Sequence, residues 1–353
     1  MITGDLGREL AIVLRQLAAN GALPAAAAGL TPAGTWRTAP DGDPASFATS
    51  LPFRIARLDA RDAGDVAAEL ARPLEAMPWI RAATPAASGY LTITVTHGAL
   101  ASVAGRIAAA GPSCAQSTIL RGTAATILPW PDLAAARSWP RAWRAQADAM
   151  TGRLSQAAGA DAASVRERGP QSDSGSAADS PVATAVAWFG DSAVRYSIAR
   201  AVPGSAGQLA RQMRPGSRMH DPLTAVRAAH ADAASTLRWA ADLRIEPASY
   251  QGQVNAALAG LAERRLLGLL SWLPEKVASA ARRSRPDELP RYLEQVAAAW
   301  MTCKQESPAL PFGGQAASRD PDVAGARLVL ADAASTVLAT GLALAGVWVS
   351  DQL

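Results

Sequence analysis

The chain has 353 residues, 49% of them apolar and much of that alanine, and a formal charge of +4, so it is long enough for two domains with cores of their own and favours helix over sheet. Its basic residues are nearly all arginine, since Lys276 and Lys304 are the only lysines, and this modest excess suits a polyanionic partner. Cys114 and Cys303 lie far apart with three scattered histidines, which argues against a zinc site and for a reduced, cytoplasmic setting with no metal and no cofactor.

In chain order, residues 4–20 are predicted helical, with Leu6, Leu10, Val13, Leu14 and Leu17 on one face and Gly21 as the stop. Residues 22–43 are Ala/Pro/Gly-rich and read as irregular. Ser50–Arg57 is short, mostly apolar and counted as a strand, Asp62–Ala76 is a helix, and Trp79–Ala83 and Gly89–Thr96 are strand candidates. The second strand alternates Tyr90, Thr92 and Thr94 with Leu91, Ile93 and Val95. Residues 1–110 therefore read as a small α+β domain. Residues 111–181 read as a connector, partly helical around Trp130, Trp139 and Trp143 and then Ser/Gly/Asp-rich over 160–181.

From 182 to 353 the pattern is helical throughout, which makes the fold class mostly α. Val182–Ala201 reads as one helix. Asp221 and Pro222 start a longer one, whose stripe runs through Leu223, Val226, His230, Ala233, Leu237 and Ala240. A dense run, 255–273, is followed by a helix from Pro274. Asp287 caps another, striped by Leu289, Leu293, Val296, Trp300 and Cys303, and Asp320-Pro321 starts the last. The apolar run 333–349 is interrupted by Ser335, Thr336 and Thr340 and is expected to be a buried bundle helix rather than a membrane span.

Three stretches carry a resemblance. WFGDSAVRYSIAR (188–200), the helix after Asp221, and ARLVLADAASTVLATGLALAGV (326–347) resemble the DALR anticodon-binding domain of arginyl-tRNA synthetases. The family reads D-A-V-R-Y-A, N-P-x-x-x-V-Q-x-A-H-A-R and A-R-L-x-L near its end. Asp191, Arg195, Pro222, His230, Arg327 and Gly341 stand at matching positions, as do Tyr196, Val226, Leu328, Leu342 and Gly346. Asp43–Thr49 and Gly89–Ile93 are similar, less closely, to the N-terminal additional domain of the same enzymes, with Thr92 where the family has Asn.

The resemblance implies tRNA binding, tRNA-Arg being the first candidate. The activity would also need two ATP-binding motifs. H-x-G-H is absent, because His97-Gly98 is followed by Leu100 at the fourth position, and neither Lys276 nor Lys304 sits in a K-M-S-K context. The stretch between Thr96 and Val182 is too short for a parallel nucleotide-binding sheet. The chain thus reads as a non-catalytic tRNA-binding relative that presents or senses tRNA, with a tRNA-using enzyme as partner. The alternatives are a protein-interaction scaffold that kept the fold, and a ligase-like subunit working with a catalytic partner.

Stacking aromatics and phosphate-binding cations define the candidate RNA contacts. These are Trp348, Tyr292, Lys304 and the cluster Arg282, Arg283, Arg285 and Arg291, which can equally be a solvated helix end. In the small domain the resemblance points to Arg81, Tyr90 and Thr92. His230 is expected to be a core histidine, and Asp191 with Arg195 an i,i+4 pair. Ala299–Gln305 lacks the family's His, second Phe and Tyr, and the chain ends on Leu353 instead of Met, which puts anticodon selectivity in doubt.

Overall fold

A computed structural model describes residues 1–86, 88–163, 180–216, 222–248, 257–310 and 320–349. The chain divides into two compact units, each built from three separated stretches. One comprises Met1–Ala109, Arg244–Glu275 and Cys303–Leu330, and the other Ala110–Leu243, Lys276–Thr302 and Ala331–Leu353. This grouping by contact differs from the sequence division into 1–110, 111–181 and 182–353.

In the first unit, α1 (Ile2–Ala19) buries Ile2, Leu6, Leu10, Val13 and Leu14, the stripe that its spacing predicts. β1 (Trp36–Thr38), β2 (Ser46–Thr49), β3 (Ile80–Pro85) and β4 (Leu91–Val95) form an antiparallel sheet in the order β1-β2-β4-β3. Leu91, Ile93 and Val95 face the core as the alternation requires. Residues 22–43 are less irregular than expected, because they include a 3-10 turn, Ala25–Gly29, and β1. The apolar stretch at 50–57 is helical rather than a strand: α2 (Leu51–Asp59) buries Leu51, Pro52, Ile55 and Ala56, a helical period too short to read without its neighbours. α3 (Ala63–Glu75) is capped by Asp62, whose carboxylate accepts from the Gly64 N–H at 2.7 Å. α4 (His97–Ala110) follows the sheet.

Later stretches complete this unit. In α10 (Leu261–Ser271), Gly268 approaches Pro44 so closely that a Cβ would lie 2.8 Å from the Pro44 carbonyl oxygen. Arg264 pairs with Asp43 at 2.8 Å, and the Trp272 and Phe47 rings lie 5.5 Å apart. Glu263, with a side chain 1% exposed, accepts from Arg327 at 2.7 Å and from the Gly260 N–H at 2.7 Å.

The second unit is helical apart from a parallel strand pair, β5 (Ala124–Thr126) with β6 (Asp161–Ala163). α5 (Trp139–Ala157) packs Trp139 and Ala142 with Leu133, Val182, Ala185, Val194, Ile198, Leu209 and Met213 in one core. The region expected as a connector is therefore folded up to residue 163, while 164–179 lie outside the described residues. The single helix expected over 182–201 is two, α6 (Pro181–Phe189) and α7 (Asp191–Arg200), because Gly190 between them takes φ +83°. α8 (Ala206–Gln212) follows.

α9 (Pro222–Asp242) buries Leu223, Val226, Ala233 and Ala240, with His230 among them; its expected cap, Asp221, lies outside the described residues. α11 (Leu273–Arg282), α12 (Glu288–Glu306) and α13 (Pro321–Leu344) each contribute residues to both units. All five predicted stripe residues of α12 are buried. Among the described residues α13 alone is long and apolar enough to cross a membrane, yet Leu328, Val329, Leu330, Val337, Leu338 and Leu342 are covered by protein.

Candidate nucleic-acid interface

The C-terminus of α13 is closed by a Schellman turn. Gly346 N–H donates to Ala343 O at 3.0 Å and Val347 N–H to Leu342 O at 2.9 Å, which requires a left-handed residue at Gly346, φ +78°. Space demands glycine as well, because a Cβ there would lie 2.9 Å from the Trp130 ring and 3.0 Å from Arg195 Cδ. Val347 is buried, and the next side chain, Trp348, is 71% exposed. The Trp348 carbonyl accepts from Arg227 Nη2 at 3.4 Å. A flat aromatic surface thus stands in water on a residue whose backbone carbonyl meets a guanidinium, and unpaired bases stack on exposed aromatics.

Arg195 is buried beneath this turn. It donates to both carboxylate oxygens of Asp191 at 3.0 and 3.1 Å, to Gln146 Oε1 at 2.8 Å and to Pro131 O at 3.0 Å. The i,i+4 pair expected with Asp191 is present, within a larger network that also includes the Trp130 ring. Arg153 lies over the same ring, 4.0 Å from its centroid; burial and the nearby Arg195 lower its pKa from the usual value.

The arginine cluster at the α11–α12 corner, also in this unit, is organised by one acid. Asp287 is wholly buried and accepts from Arg285 at 2.8 and 2.9 Å and from Arg291. Burial alone would raise its pKa, but the two guanidinium groups outweigh this and hold it below the usual carboxylate range. Arg291 also donates to Arg200 O, and Arg200 pairs with Glu294 at 2.6 Å. Arg285 and Arg291 thus bind protein first. Arg282 and Arg283 are exposed, Arg283 making a loose 3.6 Å contact with Glu288.

Tyr292 is placed differently from a stacking residue: it is 2% exposed, and burial holds its phenol well above the usual pKa. Its position on the inner side of α12 removes it from solvent. Trp300 is also buried, and its indole N–H donates to Asp232 at 3.0 Å. Gly341 faces Leu293, whose Cδ2 would lie 2.3 Å from an added Cβ.

Lys304 belongs to the first unit, as do Arg81, Tyr90 and Thr92. Arg81 is exposed and pairs with Asp43 at 2.9 Å. Tyr90 packs edge-on against Phe53, with centroids 5.0 Å apart, and Thr92 is half-buried in β4 opposite Thr84. Arg81 and Tyr90 lie toward opposite ends of the β3–β4 ladder, so the sheet does not gather them into one site. Arg227, Gln146, Trp130 and the exposed Trp239 are not marked as site residues by sequence, Trp130 being read only as part of a packed helical stretch; only an outward helical position next to Arg238 could have marked Trp239.

Residues 226–353 match the family model of the DALR anticodon binding domain. Over this segment the chain is similar to that domain. Trp348 and the Arg282–Arg291 corner both lie within it. Over 168 residues the chain is 32% identical to an arginine-tRNA ligase of Paenarthrobacter aurescens, covering 48% of this chain and 30% of that protein. Over 130 residues it is 39% identical to the Nitratidesulfovibrio vulgaris (Hildenborough) ligase, covering 36% and 22%. The chain therefore spans less than a third of the length of these relatives. A Thermus thermophilus arginyl-tRNA synthetase structure aligns at TM-score 0.35 and 20% identity, over 65% of this chain and 34% of that one, too distant a likeness to carry weight.

Proposed function

We propose that this chain binds tRNA through its DALR domain and does not itself activate an amino acid, with tRNA-Arg as the first candidate and the cytoplasm as its compartment. The observation that carries the reading is Trp348, exposed at the end of a buried helix within the segment that matches an anticodon-binding domain, its backbone carbonyl meeting Arg227. Arg282 and Arg283, exposed in the same matched segment, supply phosphate contacts, and Arg285 and Arg291 add field while bound to Asp287. Arg81 and Lys304 are secondary candidates. The absence of H-x-G-H and K-M-S-K from the chain supports a holding role, in which the tRNA is presented to an enzyme that uses it.

Filter binding of total tRNA across a salt series tests this. Two to four phosphate contacts give a slope of roughly −1.4 to −2.8 in log K against log salt. Binding that is absent at low salt, or flat with salt, refutes the reading. ATP–pyrophosphate exchange by the chain is expected to be nil; measurable exchange would revive the ligase-subunit alternative. A scaffold role is favoured by the exposed Trp188 and Trp239, and predicts that Trp239→Ala leaves tRNA affinity untouched while removing protein partners.

A further inference from the structure

The DALR match begins at residue 226, but the turn that carries Trp348 is held from outside it. Gln146, fully buried on α5, donates through Nε2 to the Ala345 carbonyl at 2.9 Å and accepts through Oε1 from Arg195 Nη1 at 2.8 Å. The Trp130 ring closes the other side, against Gly346 and beneath Arg195 and Arg153. A buried amide has no water to fall back on, so each of these contacts fixes one orientation of its partner. Three points of attachment leave the turn Ala345–Val347 a single seat, and Trp348 emerges one residue later.

We propose that Trp130, Gln146 and Arg195 are positioning residues that preset the direction in which Trp348 leaves the protein, so that its ring is ordered before RNA arrives. The proposal rests on the reading of Trp348 as an RNA contact. Its physical basis is preorganisation: a side chain already held in its binding orientation loses less freedom on association. The matched segment carries the aromatic, and Trp130, Gln146 and Arg195, all outside that segment, supply its aim.

Gln146→Glu separates the two halves of the contact. The carboxylate still accepts from Arg195, but an oxygen replaces the donor that faces the Ala345 carbonyl. In the full chain labelled with 5-fluorotryptophan, the Trp348 ¹⁹F resonance is identified by its loss in Trp348→Phe. In Gln146→Glu this resonance is expected to shift and narrow. Affinity for total tRNA should fall roughly two- to tenfold, the cost of ordering one side chain, and the fall should vanish in a Trp348→Ala background. An unmoved resonance in the folded variant, or an equal affinity loss in both backgrounds, overturns the proposal. If Gln146→Glu does not fold, Trp130→Phe is judged by the same two criteria. Unchanged affinity in Trp348→Ala would sink the RNA reading alone, because the resonance decides the seat independently.

Discussion

Replacing Arg327 with leucine removes the partner of a carboxylate that water barely reaches. Glu263 has a side chain 1% exposed and Arg327 one 19% exposed, at 2.7 Å, and Arg327 also donates to Pro308 O at 3.1 Å. Breaking such a pair from one side leaves a buried charge uncompensated and typically costs about 3–5 kcal/mol. Glu263 keeps the Gly260 N–H, so the lower end, about 3 kcal/mol, is expected. With a urea m-value of about 1–3 kcal/mol/M, the midpoint falls by roughly 1 M or more.

The double variant Arg327→Leu/Glu263→Leu buries no charge. Beyond the pair itself it loses only the contacts to the Gly260 N–H and the Pro308 carbonyl, about 0.5–1.5 kcal/mol each, so it should be more stable than either single variant. Urea titration followed by far-UV circular dichroism checks both. Arg327→Leu within about 0.5 kcal/mol of the parent, or a double variant less stable than both singles, would refute the reasoning. Because the Arg327 guanidinium is committed to Glu263 and Pro308, Arg327→Leu should leave tRNA affinity unchanged below its unfolding range.

Trp348→Ala should weaken tRNA binding by about 1–3 kcal/mol, roughly 5- to 150-fold, measured by filter binding, with the parent thermal midpoint retained. Asp287 has a folded pKa below its unfolded one, so its stabilisation is present above the usual carboxylate range and is lost as pH falls through the folded value. Asp287→Asn should therefore be less stable than the parent at pH 7, and the gap in urea midpoints should close on acidification. Gly341→Ala sets a helix-propensity gain of about 1 kcal/mol against overpacking of about 1–3 kcal/mol at Leu293, so a net loss is expected, relieved by Leu293→Ala. Burial pushes the Cys114 thiol up to about 11 and Cys303 up to about 12, so neither should react with a thiol reagent at pH 8 until urea unfolds the chain.

Periodicity made the helices legible where the stripe was long and the start well marked, as in α9, α12 and α13. It failed at Gly190, because apolar residues continue on both sides and only the backbone angle breaks the helix. It also failed at Leu51–Asp59, whose two turns look apolar in either state. The arginine corner was visible as a cluster, and Asp287 with Arg291 at i+4 could have warned that part of it serves the fold. Tyr292 fits the pattern of a stacking aromatic, but its neighbour Leu293 is buried too, and the face both occupy is set by packing. The pairs Gln146–Ala345 and Asp43–Arg264 lie some two hundred residues apart, and no local rule reaches them.

The assembly of each unit from three stretches bears on how the gene can be dissected. A fragment cut at 182 or 226 to isolate the segment that matches the DALR family model would keep Trp272, Arg264 and Gly268 but discard Phe47, Asp43 and Pro44. It would also lose Gln146 and Trp130 from beneath the Ala345–Val347 turn. Insoluble or silent fragments would then report severed cores rather than the worth of the RNA surface, so function is best mapped by point substitution in the intact chain.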